Sequence, residues 1–243
     1  MSKSKETTMW SRGDSPFDII LGGYQIRNIL EHARGNSLLD LGCNDGSLLE
    51  AIVAGDEFTK VVGIDADANK ISKAIRFLRT EKDMSFICSF IEDFKNRKKF
   101  DTIILINIME HIEDPILVLQ KAREWLSAKG VIIIHVPNAL SLNRQLGLAM
   151  GLIQDLKELG EKDISPELGH RRFYDYWTLK KDVEEAGLKV HCSGGVFVKL
   201  FSNTQMQRIA DEWDNAGEIF EGLHKMAKKL PHFSSPLFMV CTK

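Results

Sequence analysis

Cysteine and proline are both few in this chain. Its four cysteines (Cys43, Cys88, Cys192 and Cys241) are spread over 243 residues with no Cys-x-x-Cys pair. That excludes a disulfide-stapled scaffold and fits reduced, mostly buried thiols in a cytoplasmic setting. Six prolines and 18 glycines are too few for a collagenous or low-complexity chain. Long apolar runs are missing as well. Stretches such as Val131–Ile134 fall far short of the roughly 20 residues that cross a bilayer. The opening Met1–Thr8 is polar and has no apolar core of a secretory signal. Nor does one sign of charge dominate: 32 basic against 34 acidic residues give a formal −2. No overall basic field is available to recruit nucleic acid. The expectation is a soluble cytoplasmic protein with no membrane insertion and no nucleic-acid partner, free to associate as a homodimer.

What is present is ample core material, 44% hydrophobic residues in a length that suits one domain. Residues 1–15 read as a flexible tail, and Pro16–Ala33 as a helix with an apolar stripe of Ile19, Ile20, Ile26, Ile29 and Leu30. Short apolar runs follow as strands: Ser37 to Cys43, Lys60–Asp65, Ser85–Phe90, Phe100–Asn107 and Gly130–Pro137. Helical stretches at Leu48–Val53, Ala68–Arg79 and Pro115–Leu126 separate several of them. Strands apolar throughout, alternating with amphipathic helices, predict an α/β, doubly wound Rossmann-like sheet covered on both faces. Beyond Pro137 the pattern changes. Leu146–Leu159 reads as helix, Trp177–Ala186 as helix, Leu188–Phe201 as one or two strands, Thr204–Lys229 as polar helix and Leu237–Thr242 as a last strand. Segment 138–169 is long for a connection, and with 203–230 it is expected to form a helical lid on the substrate side.

The stretch Leu38-Leu-Asp40-Leu-Gly42-Cys-Asn44-Asp45-Gly46-Ser joins a strand to a helix through a glycine-bearing turn. Gly42 permits a sharp turn and Gly46 a close ligand approach at the helix start. Nineteen residues past Gly46, Asp65 ends the second strand, where a carboxylate can accept hydrogen bonds from a ribose. A dinucleotide is disfavoured. Asn44 fills the place of the middle glycine, and Asp45 adds charge that repels a pyrophosphate. A ligand carrying a sulfonium and an ammonium suits Asp40 and Asp45 instead.

These residues, with Gly63-Ile-Asp65, Ile91-Glu-Asp93 and Phe100 to His111, resemble the class I S-adenosylmethionine-dependent methyltransferases from about residue 36 onward. The resemblance implies a seven-stranded sheet whose last strand, 237–242, inserts antiparallel. It implies S-adenosyl-L-methionine as cofactor, bound by Asp40, Gly42, Asn44, Gly46, Asp65, Ala66, Phe90, Ile91 and Asn107. Phe90 stands where many relatives have an Asp for the adenine amine, so it offers packing only. Ile91 main chain and Glu92 remain as polar candidates.

Methyl transfer requires an aligned nucleophile and, for a hydroxyl, removal of its proton. The fourth strand ends in Asn107-Ile-Met-Glu110-His111, at the ligand side of such a sheet. His111 is therefore a candidate base, although Glu110 and His111 equally suit the start of the next helix. Gly169-His170-Arg171-Arg172-Phe173-Tyr174 supplies a second candidate base, His170, and a candidate acceptor clamp in Arg171, Arg172 and Tyr174. A basic helix start with buried aromatics is the plainer reading of that cluster. Relatives with Glu-His after the fourth strand include quinone-ring, sugar-modifying and small-RNA methyltransferases. In some a divalent metal sits on two glutamates and two histidines. Glu110, His111 and His170 match three of those positions, and Asn107 replaces the first glutamate, an amide being a poorer ligand than a carboxylate. Pro137-Asn138 to Arg144 with Gly169 to Tyr174 most resembles the sugar-modifying group. The expected function is O-methylation of a sugar, glycan-linked or other small hydroxyl. N-methylation of an amino sugar or other small amine is the alternative, and a non-catalytic partner subunit is the third reading.

Overall fold

The computed structural model describes residues 15–55, 57–77, 83–161, 163–165 and 169–243. The expected tail over 1–15 lies outside them except for Ser15. Seven strands form one sheet: β1 (Ser37–Leu41), β2 (Lys60–Asp65), β3 (Asp83–Cys88), β4 (Phe100–Ile106), β5 (Leu126–Val136), β6 (Lys189–Gly195) and β7 (Leu237–Thr242). Their spatial order is β3-β2-β1-β4-β5-β7-β6. The first five pair in parallel. β7 runs antiparallel between β5 and β6. Both the sheet class and its antiparallel last strand agree with the sequence reading.

Side-chain alternation sends each strand's residues to two separate cores. Leu39, Leu41, Ile103, Leu105, Ile132 and Ile134 pack on one face. They meet Val118 and Leu119 of α4 (Pro115–Trp125) and Leu179 and Val183 of α6 (Tyr176–Glu185). Leu38, Ile104, Val131 and Ile133 pack on the other face against Phe17 and Ile29 of α1 (Pro16–His32). Phe220 and Leu223 of α8 (Ala216–Ala227) complete that layer. The helices begin where side chains satisfy free amides. Ser15 accepts from Asp18 N at 3.3 Å ahead of Pro16, and Asp114 accepts from Leu117 N at 3.0 Å ahead of Pro115. Asp175 and Ser202 form reciprocal caps at α6 and α7 (Asn203–Glu212).

Several expected elements shift. The third strand starts and ends two residues before the expected 85–90. The helix expected over 146–159 is instead α5 (Leu142–Ala149). Gly151 at φ 71° stops it, and Arg144 turns back to the carbonyls of Leu156 and Glu158 at 2.8 and 2.9 Å. The helix expected over 204–229 divides at Trp213–Asn215 into α7 and α8. α8 forms part of the packed layer rather than a lid, because Phe220, Leu223 and Ala227 are buried.

One polar group lies inside the layer between β5 and α1. His135 is fully buried, its Nε2 2.8 Å from Asn28 Oδ1 and its Nδ1 3.3 Å from Gln25 Nε2. This arrangement assigns the proton to Nε2, which donates to Asn28, while Nδ1 accepts from Gln25. Burial first, then His32 nearby, pushes the imidazole down to about 3. Below pH 6.5 or so the unfolded chain takes up a proton that the native state excludes. The contribution of His135 is therefore complete above that pH and is lost as pH falls toward 3, by about 1.4 kcal/mol per pH unit. A His135→Gln variant should show a shallower loss of stability than the wild type between pH 7 and 5, read from urea midpoints. Parallel slopes for the two proteins would contradict the buried neutral imidazole.

Candidate active site

β1 and β4 are neighbours whose connections depart to opposite sides, so a crevice opens at their carboxyl ends. Gly42 sits there at φ 92°, and a Cβ on it would come within 2.8 Å of Ile108 Cγ1. Both counts require glycine. The amides of Gly42 and Cys43 donate to Ile64 O at 2.8 and 2.9 Å, tying the loop to β2. Asn44 follows at φ 52°, a conformation asparagine tolerates. Its amide donates to Asp65 Oδ2 at 2.8 Å, and the Asp67 amide donates to Asp65 Oδ1 at 2.9 Å. The Asp65 carboxylate is thus held from behind, with lone pairs left for a ligand. Asp45 Oδ1 accepts from Ser47 N and Oγ, shaping the entry to α2 (Ser47–Val53). Gly46 is the left-handed residue before that helix and lines neither cavity.

Two adjoining cavities meet at this loop. The larger, about 650 Å³, is lined by Gly42, Asn44, Asp45, Asp65 and Asn107 on one side and by Glu110, His111 and His170 on another. The second, about 540 Å³, is lined by Asp65, Ala66, Phe90, Ile91, Glu92 and Arg171. Gly42, Asp65, Ile108 and His111 belong to both walls. One elongated ligand can therefore span them past Asp65. Phe90 is 64% exposed and offers an open ring face to the second cavity. Asp40, like Gly46, departs from the expected cofactor contacts. Its carboxyl is 1% exposed, lines neither cavity and has no hydrogen-bond partner among the described residues. Burial and then the Asp65 charge push it up to about 8.

The segment after 168 acts as a strap across the turn that follows β4. Arg171 N donates to Glu110 O at 2.8 Å, Arg171 Nε to His111 O at 3.1 Å, and the Arg172 guanidinium to Glu113 O at 3.1 Å. These bonds set the rings of His111 and His170 edge to face at 4.8 Å. Glu110, His111 and His170 each present a ligand atom, all within 4.8 Å of one another. Glu110 is 2% exposed, its Oε2 has no hydrogen-bond partner among the described residues, and burial pushes it up to about 8. His170 is lowered by burial and by His111, with Asp163 opposing.

The expected clamp separates into different roles. Arg171 faces the second cavity. Tyr174 is 2% exposed and its hydroxyl donates to Asp182 at 2.8 Å, so it packs in the core and lines neither cavity. Arg172 sits beside that Tyr174–Asp182 pair and lines neither cavity. The expected lid is likewise displaced. Among the described residues from 138 to 165, none lines the two cavities. The wall above the crevice comes from Asp18, Leu21, Gly22 and Gln25 of α1 and from Lys199 and Asn203. No local motif marks those residues; the traces in the sequence were the apolar stripe of α1, which brings that helix onto the sheet, and the 203–230 segment, expected on the substrate side, which contains Asn203.

A family profile described as a methyltransferase domain matches residues 24–193. A ubiquinone biosynthesis O-methyltransferase from Nitrobacter winogradskyi is 29% identical over 49% of the chain and 44% of its own length. One from Pelagibacter ubique is 29% identical over 49% of each chain. The chain thus spans about half the length of the curated relatives it matches. Among solved structures, an S-adenosylmethionine-dependent methyltransferase from Mesorhizobium loti superposes with a TM-score of 0.62 at 13% identity, covering 93% of this chain and 100% of that one. At that identity the likeness speaks for the fold alone.

Two expectations follow from this geometry. Asp65→Ala removes the ribose acceptor and frees the amides of Asn44 and Asp67. Charge-assisted hydrogen bonds contribute about 1.5–3 kcal/mol, so S-adenosylmethionine affinity should fall at least roughly tenfold by calorimetry. Unchanged affinity would remove Asp65 from the cofactor site. Asp40 has an ordinary value of 3.8 and is raised to about 8. Its protonated form therefore supports the fold fully below pH 4 or so, and that support is lost as pH rises through about 8. Asp40→Asn should gain on the wild type by about 1.4 kcal/mol per pH unit between pH 5 and 7. Denaturation midpoints at both pH values decide this.

Proposed function

We propose that this chain, which belongs to the class I S-adenosylmethionine-dependent methyltransferase family, transfers the methyl group to a hydroxyl oxygen on a small acceptor. The observation that carries this reading is the convergence of Glu110, His111 and His170 within 4.8 Å on the wall of the cavity that also holds the cofactor loop. A sulfonium methyl is already activated, so an amine acceptor needs no such cluster, whereas a hydroxyl has a proton to give up. The names of the curated relatives support an oxygen acceptor. They point to a quinone precursor, while the 137–144 and 169–174 segments resemble sugar-modifying enzymes. A ring hydroxyl on a small molecule is the chemistry common to both.

The chain's own groups can take that proton. His111 Nδ1 lies 3.4 Å from Gly169 O, a contact in which Nδ1 carries the hydrogen and Nε2 is the basic nitrogen. Nε2 is 3.9 Å from Glu110 Oε1. His170, half-buried beside it, is the second base within reach of the same space. The same three residues fit a divalent cation, because a buried carboxylate oxygen without a partner and two imidazoles make an ordinary donor set. Such an ion, when bound, supplies a Lewis acid that eases loss of the hydroxyl proton.

His111→Ala and His170→Ala should each lower kcat by roughly 10²–10⁴-fold and leave cofactor affinity within about twofold. The assay is transfer of a radiolabelled methyl group to a panel of hydroxylated acceptors. Full activity after chelation assigns the proton to histidine. Loss that Mg²⁺ or Mn²⁺ restores assigns the cluster to metal. Wild-type rates in both variants would transfer the reading to an amine acceptor.

A further inference from the structure

The transfer reading leaves one cation of the cavity wall unused. Lys199 follows the buried run Val196, Phe197 and Val198 and precedes the cap of α7. It lines the same cavity of about 650 Å³ as the cofactor loop and the two histidines. The other formally charged side chains on that wall are acids, namely Asp18, Asp45, Asp65 and Glu110. Among the described residues, Lys199 is its sole lysine or arginine.

Among the described residues, no carboxylate lies within salt-bridge distance of this ammonium. The acid that influences it, Asp18, is occupied elsewhere. Asp18 Oδ2 accepts from Ser15 Oγ at 2.7 Å and Oδ1 from Asn203 Nδ2 at 3.1 Å. Burial pushes Lys199 down to about 8, with Asp18 opposing. A half-desolvated amine without a partner gains from any anion that reaches it, since the charged pair forms away from bulk water. Two amide side chains, Gln25 and Asn203, line the cavity with it and can add hydrogen bonds.

We propose that Lys199 anchors a carboxylate on the methyl acceptor, making the substrate a hydroxylated carboxylic acid rather than a neutral ring. This inference rests on the transfer reading above, because it takes the acceptor to be the occupant of this cavity. The carboxylate contact fixes one end of the acceptor while its hydroxyl meets the histidines, and two contacts orient a ring where one leaves it free to rotate.

The test uses the full chain saturated with S-adenosylhomocysteine and titrated calorimetrically with protocatechuate and with catechol, which differ by the carboxylate alone. Wild type should bind protocatechuate roughly tenfold or more tightly than catechol. Lys199→Met should bring the two within about twofold, and Lys199→Arg should keep part of the preference. A cooperative thermal melt certifies folding of each form, and Lys199→Gln replaces the Met variant if that one fails to fold; a loss of S-adenosylhomocysteine affinity in the Met variant with no change in ring preference assigns the lysine to the cofactor's own carboxylate and overturns the anchor. Equal binding of the two rings by wild type, no binding of protocatechuate, or a preference that survives without the lysine charge overturns the anchor. Radiolabel transfer to catechol or protocatechuate by wild type tests the other reading separately. A charge preference without transfer sinks only the transfer reading, and transfer without a charge preference sinks only the anchor.

Discussion

The chirality of strand crossovers is the constraint on which the site depends. Right-handed connections carry β1 to β2 and β3 on one side and β4 to β5 on the other, so β1 and β4 part at their carboxyl ends. The chain leaves those ends through Gly42 at φ 92° and Asn107 at φ 51°. Ile108 closes against the bare glycine, where a side chain has no room. Each later feature hangs on this gap. The Asp65 carboxylate is clamped beside it by two backbone amides, and Glu110 and His111 are carried into it by the turn after β4.

Burial makes the site less negative than its composition. Asp40 and Glu110 are both pushed up to about 8, so near neutral pH each holds its proton while nothing else occupies the cavity. A sulfonium ligand entering beside Asp65 shifts that balance toward the ionised forms, because a nearby cation favours a carboxylate. Charge on this wall is therefore conditional on what is bound. The same physics acts with opposite sign at Lys199, where an arriving anion favours the ammonium.

The strap over 169–174 shows how one run of residues serves both structure and chemistry. Tyr174 and Arg172 are held by Asp182 and Glu113, and Ala139 N donates to Tyr174 O at 2.7 Å. Those contacts fix the strap on the body of the protein. His170, four residues before Tyr174, is thereby held against His111 without any lid closing over it. The residues that looked most like an acceptor clamp are mainly its fastening, and Arg171 alone among them faces a cavity.

Local sequence determined the sheet, the glycine turn and the acid at the end of β2, because each is written within a few residues: apolar runs of strand length, Gly42 ahead of Gly46, and Asp65 closing Lys60–Asp65. It also marked Glu110, His111 and His170, since strand topology alone places the first two at the crevice. It misplaced the lid, Asp40, Arg172 and Tyr174, because burial depends on which element packs on which, and a polar or aromatic residue near a turn reads the same whether it faces ligand or core. Lys199 carried no signal, the Asp18–Gln25 face of α1 only the apolar stripe of its helix, and Asn203 only its place at the edge of the 203–230 segment. They come from segments up to 185 residues apart, joined as Asp18 is to Asn203. Only the packing of α1 and α7 over the open end of the sheet turns those scattered residues into one wall.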